Sequence, residues 1–118
     1  MTSLNRVILT GKVVTSPRLH YRPDGSPVIQ FPLELNDAEN LKGQRGRNQI
    51  NIVATGKLAE IKLDLLQRGQ HLMVIGKLNQ RHWQTPEGKD RTRTEVIATD
   101  FQMVEENNLT QKSTKQGE

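Results

Sequence analysis

One segment with helical spacing lies among segments typical of β-strands, and this limits the possible folds more than any other feature. Within residues 57–68, apolar side chains recur every three or four positions, at Leu58, Ile61 and Leu65 with Leu66 beside them. Such spacing forms one apolar stripe along a helix, and Gly69 follows as a typical C-cap residue. We therefore predict a single helix at this place in the chain.

Three strand-like segments precede the predicted helix and two follow it. They comprise residues 6–14, 28–36, 48–55, 71–81 and 91–99. Alternation of apolar and polar residues predicts strands with one buried face. The residues expected to face the core are Ile29, Phe31, Leu33, Leu35, Ile50, Ile52, Ala54, Leu72, Val74 and Leu78, with Phe101, Met103 and Val104 after the last strand. Gly11 interrupts the first strand, which predicts a bulge or a sharp bend there.

The order of these elements predicts the fold class. Three strands, a helix and two further strands are the order of the OB-fold, a five-stranded, partly open Greek-key barrel that binds oligonucleotides. We predict an all-β domain of this type over residues 1–104, with its one helix between strands 3 and 4. Residues 105–118 are polar apart from Leu109, and a segment this poor in apolar residues is predicted to be a disordered tail.

The composition predicts a small core and excludes several kinds of site. Only 33% of residues are hydrophobic and 3% aromatic, and small chains with thin cores often gain stability by oligomerisation. We expect a homo-oligomer, either a dimer or a tetramer. The absence of cysteine excludes disulfides and thiol catalysis. Without a signal peptide or an apolar run of the ~20 residues that span a bilayer, we expect a cytoplasmic, nucleoid-associated protein with no membrane partner.

The distribution of charge predicts a polyanionic partner. Seventeen Lys and Arg against 13 Asp and Glu give a formal net charge of +4, which favours such partners through counterion release. Residues 77–93 form a predicted hairpin with Trp83, the only tryptophan, and five basic residues: Lys77, Arg81, Lys89, Arg91 and Arg93. Single-stranded nucleic acid binds to cations that follow its phosphates and to aromatic rings that stack on its bases. We therefore predict a nucleic-acid-binding site on this hairpin.

Further candidate nucleic-acid-binding residues lie in the first strand and in two loops. Loops flank the binding surface of an OB-fold, and basic or aromatic residues there would extend the track of the hairpin. The candidates are Lys12 in the first strand, Tyr21 and Arg22 at the first turn, and Arg45 and Arg47 in the next loop. For Tyr21 alone, a place in the core or on an inert surface is an equally good explanation, and for any single arginine a solvated loop is the more frequent one. Their joint presence in these loops favours a role in binding.

Motifs that carry catalysis are missing from the sequence. His20, His71 and His82 are far apart, and none is paired with a carboxylate at the spacing of a metal site. No nucleophile elbow, phosphate loop or dinucleotide fingerprint occurs. We expect a protein that is not an enzyme and that needs neither a cofactor nor a metal ion.

An ordered set of short motifs resembles the bacterial single-stranded-DNA-binding protein family. The motifs are Asn-Arg-Val-Ile-Leu-Thr-Gly at residues 5–11, Gly-Lys-Leu-Ala-Glu at 56–60, Val-Ile-Gly-Lys-Leu at 74–78 and Gly-Lys-Asp-Arg at 88–91. They follow the order of the family over about residues 4–104. The resemblance implies an OB-fold that oligomerises, wraps single-stranded DNA with little sequence preference, and stacks bases on Trp83.

Two departures from the family pattern alter the expected function. The positions that match the other aromatic residues of the family hold Glu39, Gln49 and Thr55, so we expect a loss of roughly 1–3 kcal/mol for each missing stacking contact. The chain also ends without the acidic tip and terminal Pro-Phe with which the family recruits repair and replication enzymes. In both respects it resembles primosomal replication protein N, a tail-less relative that forms dimers and helps to reload the replicative helicase.

Three hypotheses follow. The first is non-catalytic, largely sequence-independent binding of single-stranded DNA in replication, repair, recombination or replication restart. The second is a primosomal adaptor whose partners are replication-restart proteins. The third is an OB module that acts mainly through protein–protein contacts. A strongly salt-dependent affinity for oligo-dT would favour the first two, whereas salt-insensitive or absent DNA binding, with retained binding to a helicase or primosome protein, would favour the third.

Overall fold

A computed structural model describes residues 3–35 and 48–104. Its strands are β1 (Val7–Val13), β2 (Arg18–Tyr21), β3 (Pro27–Leu35), β4 (Gln49–Thr55), β5 (His71–Gln84) and β6 (Asp90–Met103). Helix α1 spans Gly56–Lys62, and a 3-10 turn at Leu63–Leu65 follows it. The tail predicted at residues 105–118 lies outside the described residues. No helix within the described ranges is long and apolar enough to cross a membrane.

The six strands form one sheet that closes on itself. The strand order is β1-β5-β6-β4-β3-β2, and β1 also pairs with β3, opposite residues being Gly11 and Leu35, Lys12 and Glu34, and Val13 and Leu33. All neighbours are antiparallel except β4 and β6, which are parallel. This closure, with one helix between β4 and β5, confirms the predicted OB-fold. Strand β2 is a short addition that forms a hairpin with β3.

The core lies between the inward faces of the strands. Alternation along β3 places Ile29, Phe31 and Leu33 inside, each at most 1% exposed. The predicted core residues of the following strands are buried as well, namely Ile52, Ala54, Leu72 and Val74. Phe31 packs against Phe101 of β6 with ring centroids 5.8 Å apart, a favourable separation for two tilted rings.

Three residues expected in the core are exposed. Leu78 is 47% exposed because β5 continues beyond the barrel wall, so its side chain has no opposite layer to pack against. Met103, the last residue of β6, is 51% exposed, whereas Val104 after it is half-buried. Ile61 on α1 is 69% exposed. The predictions for Leu78, Met103 and Ile61 were therefore wrong.

The error at Ile61 arises because the buried side of α1 is centred on Ala59, and Ile61, two positions later, lies about 200° around the helix. The helix ends at Lys62, and the 3-10 turn that follows changes the direction of the side chains after it. Contact with the barrel is made instead by Ala59, which is 1% exposed, and by Leu66, which is 2% exposed. Leu58 and Leu65 pack partly against the same core.

Gly11 lies where β1, still paired with β5, begins to pair with β3 as well. It pairs with Leu35 of β3 on one side and with Leu72 of β5 on the other. A Cβ atom at Gly11 would lie 2.5 Å from the carbonyl oxygen of Glu34 and 2.8 Å from the side chain of Leu33. The closing contact of the barrel therefore has no room for a larger residue.

We expect Gly11→Ala to destabilise the fold by about 1–3 kcal/mol, because backbone and core must move to accept the methyl group. The midpoint of urea unfolding measures this loss. Gln102→Ala serves as the control, since Gln102 is exposed on β6 and is expected to change the stability by no more than about 0.5 kcal/mol. Equal midpoints for the two variants would contradict the close approach at Gly11.

Strands β5 and β6 extend beyond the barrel as a two-stranded hairpin. Each strand has 14 residues, and all side chains from Lys77 to Gln84 are exposed. A register shift between Ile75 and Gly76 lies near the point where β5 passes from the barrel wall into the hairpin. Such a bulge increases the twist of the strand, and it separates the buried half of β5 from the exposed half.

Candidate nucleic-acid interface

One face of the β5–β6 hairpin collects most of the cations predicted to bind nucleic acid. Arg81 lies opposite Arg93, and Trp83 lies opposite Arg91. Residues directly opposite in an antiparallel pair share a face, as do residues two apart along a strand. Lys77 has the same parity. We call the surface formed by Lys77, Arg81, Trp83, Arg91 and Arg93 the arginine face.

The other face of the hairpin is a ladder of polar side chains that bond to each other. Gln80 donates to the hydroxyl of Thr94 at 3.4 Å, and Gln84 donates to Asp90 at 3.1 Å. Between them, Nδ1 of His82 lies 3.1 Å from the hydroxyl of Thr92. These contacts hold the two strands together. The hairpin is therefore two-sided, with its aromatic ring and its arginines on the side that lacks this ladder.

Trp83 is exposed rather than part of the core. Its side chain is 45% exposed, and it is the next-to-last residue of β5, near the turn of the hairpin. An exposed indole beside Arg91 offers a flat ring on which a base can stack, next to a cation that can contact the adjoining phosphate.

The turn between β5 and β6 holds Lys89 at the tip of the hairpin. The backbone N–H of Thr85 donates to the carbonyl of Lys89 at 2.9 Å, and that of Gly88 donates to the carbonyl of Thr85 at 2.8 Å. Gly88 has a φ of 84°, a conformation that glycine adopts without strain. Lys89 is exposed at the tip, so it extends the arginine face without belonging to either strand face.

Strand register connects the arginine face with the outer surface of the barrel. Lys77 lies opposite Ile97, which lies opposite Val53 of β4. Val53 lies opposite Gln30 of β3, and Gln30 lies opposite Arg18 of β2. This row crosses five strands on one side of the sheet. Cations at its two ends, Lys77 and Arg18, therefore border one continuous surface.

A cavity of about 400 Å³ lies on this surface. Arg93 of the hairpin and Arg18 of β2 both line it, together with Gln30, Pro32 and Asn51. The volume falls within the range of small-molecule sites. Two arginines from opposite sides of a concave, amide-lined site can contact phosphates while a base lies between them.

Arg18, Gln30 and Asn51 were not among the site residues predicted from the sequence. Alternation along β2 and β3 can assign Arg18 and Gln30 to one face of their hairpin. It cannot show that Arg18 meets Arg93, because 75 positions separate them in the chain and their proximity depends on the pairing of β4 with β6.

The remaining predicted site residues differ in their placement. Lys12 is exposed on the outward side of β1 and lies opposite Glu34, so a carboxylate adjoins it. Tyr21 is 65% exposed but has the opposite parity to Arg18 on β2, so the two point to different sides of that strand. Arg45 and Arg47 lie outside the described residues.

The turn that carries Arg22 is closed by Asp24. The backbone N–H of Ser26 donates to the Asp24 carboxylate at 2.9 Å, and the Ser26 hydroxyl donates to it at 2.7 Å. The backbone bond, and then the side-chain bond, lower the pKa of Asp24 below its usual value. The ionised carboxylate therefore stabilises the turn at neutral pH and leaves Arg22 exposed beside it.

Two of the positions matched to aromatic residues in the family lie within the described residues. Gln49 is exposed at the start of β4, and Thr55 is half-buried at its end. Neither side chain can stack on a base as a ring does. The third position, Glu39, lies outside the described residues. Trp83 is thus the one aromatic residue that the structure places on the arginine face.

Within residues 3–35 and 48–104, no group of three or more His, Asp or Glu side chains could hold a metal ion.

A family model, two related sequences and a solved structure all relate this chain to single-stranded DNA-binding proteins. The model of the single-strand binding protein family matches residues 4–104. The single-stranded DNA-binding protein of Bacillus cereus is 38% identical over 106 residues, which cover 89% of this chain and 62% of that protein. That of Caldanaerobacter subterraneus is 36% identical over 103 residues, with coverage of 86% and 69%. A crystal structure of a deletion mutant of the single-stranded DNA binding protein from Thermus aquaticus superposes with a TM-score of 0.70 at 29% identity, covering 87% of this chain and 51% of that one.

Proposed function

Because this chain belongs to the single-strand binding protein family, we propose that it binds single-stranded DNA, without catalysis, through the arginine face and the barrel surface that continues it. The observation that supports this most directly is the shared face of Trp83, Arg81, Arg91 and Arg93. A ring between guanidinium groups fits bases and phosphates in alternation. The relatives named above are single-stranded DNA-binding proteins.

Binding of this kind has little sequence preference. Cations contact phosphates, which every nucleotide carries, and an indole stacks on any base because each base has a π-face. With one ring on the arginine face, phosphate contacts supply most of the free energy of binding. The affinity is therefore strongly dependent on salt.

Titration of the chain with oligo-dT tests the proposed function. Fluorescence reports one site, since Trp83 is the only tryptophan. We expect quenching on binding and an affinity that falls with salt, with a log–log slope of about −0.7 for each phosphate contacted. An affinity for oligo-dT that is absent or independent of salt would contradict it.

Oligomerisation through β1 belongs to the same proposal. Residues 7–10 pair with β5, and β3 joins only from Gly11 onward, so within the described chain one edge of this half-strand has no partner. Apolar residues surround that edge: Leu4 is 90% exposed, Ile8 55% and Leu78 47%. Asn5 extends the pairing, since its side chain bonds to the backbone N–H and carbonyl of Leu78 at 2.9 and 2.8 Å. An unpaired, apolar edge can pair with a second copy of the chain.

We expect light scattering to give the mass of a dimer or tetramer for the wild-type chain, and that of one chain for Ile8→Lys. A charge at this edge opposes pairing because it would be buried without a partner. Ile61→Lys is the control, since Ile61 is equally apolar and 69% exposed on α1. An unchanged mass for Ile8→Lys, or the same dissociation for both variants, would contradict the assignment of the edge.

We infer the cellular role from the proposed DNA binding and from the relatives of the chain. The chain spans about 62% of the length of the Bacillus cereus relative. From DNA binding we infer, as hypotheses, a role in replication, repair, recombination or replication restart. The corresponding partners are replication-restart proteins, and the location is the cytoplasm, at the nucleoid. Polar Gln49 and Thr55 support the alternative of an OB module, or primosomal adaptor, that acts mainly through protein contacts. Weak binding of oligo-dT, together with clear binding to a helicase or primosome protein, would favour that alternative.

A further inference from the structure

Glu95 is a carboxylate buried beneath the surface proposed to bind DNA. It is 2% exposed, and no other charged side chain among the described residues is buried. It lies on β6, two residues from Arg93, opposite Asn79 of β5 and Asn51 of β4. Burial of a carboxylate is costly, and a negative charge here repels phosphates. Neither effect helps DNA binding, so a different role has to explain this residue.

The contacts of Glu95 connect it with the arginine face. Its Oε2 accepts a hydrogen bond from the Asn79 amide at 3.1 Å. Its Oε1 lies 3.9 Å from Nε of Arg81, whose side chain is 52% exposed. The buried carboxylate therefore lies beside the inner nitrogen of the Arg81 guanidinium, while a large part of the side chain remains in contact with solvent.

Among the described residues, Arg81 is the one partner that Oε1 has. Within residues 3–35 and 48–104, Oε1 accepts no hydrogen bond, and the buried Nδ2 of Asn51, which lies opposite Glu95, donates none. Buried polar atoms are normally satisfied, so this acceptor attracts the nearest cation. An arginine suits that position, since Nε can face the carboxylate while the terminal nitrogens of the guanidinium face outward.

We propose that Glu95 is a positioning residue for DNA binding, which holds Arg81 so that its terminal nitrogens meet a phosphate. This inference rests on the proposed function. This inference and a purely electrostatic account predict opposite changes in DNA affinity when the charge of Glu95 is removed. Loss of a negative charge under the site raises the affinity if charge alone matters, and lowers it if the charge positions Arg81.

Glu95→Gln tests the sign, because glutamine has nearly the same shape and no charge. In the full chain, we expect the dissociation constant for oligo-dT to rise about tenfold, as for the loss of one charge-assisted hydrogen bond. The log–log salt slope should fall by about 0.7, the share of one phosphate. In an Arg81→Gln background, the same substitution should cause no further weakening. Asp90→Asn is the charge-matched control, since Asp90 lies on the polar ladder, and it should bind as well as wild type or better.

Two outcomes would overturn the inference. One is a Glu95→Gln variant that binds more tightly, as the Asp90→Asn control does. The other is an equal weakening in the presence and absence of Arg81, which would mean that Glu95 does not act through it. Failure of the wild-type chain to bind oligo-dT would instead refute the proposed function itself.

A second pair of variants tests the inference if Glu95→Gln does not fold. Lysine keeps the charge of Arg81, but its ammonium lacks the planar fork in which Nε faces the carboxylate while the terminal nitrogens face outward. We expect Arg81→Lys to weaken oligo-dT binding clearly more than Arg91→Lys, since no contact with Glu95 constrains Arg91. Equal affinities for these two variants would refute the positioning role.

Discussion

Replacement of Lys77, Arg81, Lys89, Arg91 and Arg93 by glutamine is expected to weaken oligo-dT binding on the order of 100-fold at about 0.2 M salt. If each cation contacts one phosphate, the log–log salt slope falls by about 3.5, since each contact contributes about 0.7 for single strands. The physical reason is counterion release: in the wild-type complex these cations displace counterions from the DNA. In the variant those counterions stay bound to the DNA, so their release no longer favours binding. Fluorescence anisotropy of labelled oligo-dT at several salt concentrations measures both quantities.

A charge-matched comparison separates direct contact from general attraction. One variant replaces Arg81, Arg91 and Arg93 with glutamine, and the other replaces Lys57, Lys62 and Arg68 near α1. Both lose three positive charges, but the second set lies away from the arginine face. We expect the first variant to lose most of its affinity and the second to lose little. If both lose the same amount while folded, the DNA follows another path, such as one over Arg22 and the side of β2 that holds Tyr21.

Trp83→Ala is expected to weaken oligo-dT binding by about 1–3 kcal/mol, the contribution of one base–aromatic stacking contact. The stability of the fold should change little, because Trp83 is 45% exposed and lies outside the barrel core. Anisotropy of labelled DNA measures the affinity, and circular dichroism during thermal unfolding measures the stability.

Tyr21→Ala is a suitable comparison for the tryptophan variant. Tyr21 is also aromatic and is 65% exposed, but it points to the side of β2 opposite to Arg18. We expect a smaller loss of affinity for Tyr21→Ala than for Trp83→Ala. Unchanged DNA binding by a folded Trp83→Ala variant would refute the stacking role, and a larger loss at Tyr21 would place the DNA on the other side of β2.

The sequence alone was sufficient to predict the elements and the sidedness of the long strands. Strict alternation in β3 predicted the burial of Ile29, Phe31 and Leu33 because successive side chains of a strand point to opposite faces. The same rule applies within the β5–β6 hairpin, where a short turn determines which residues lie opposite each other. The proximity of Trp83 to arginines was therefore predictable, since it depends on local pairing.

The errors occurred where burial depends on what lies across from a side chain. Leu78 and Ile61 have the spacing of core residues, but β5 extends beyond the barrel, and α1 packs on the core through the side that holds Ala59. Periodicity reports which side of an element is apolar. It does not report where the opposite layer of the core ends.

Only the tertiary structure decided which distant residues meet. Arg18 and Arg93 line one cavity, and Glu95 lies beneath Arg81 with Asn51 facing it, because β4 pairs with β6 in parallel and β1 closes the barrel on β3. These pairings join segments far apart in the chain, and local propensity is the same for many alternative registers. Their register follows from closing one barrel around one core, where Gly11 leaves room for a single close approach. The sequence by itself thus determined the strands and the two faces of the hairpin, whereas barrel closure decided which side chains share the site.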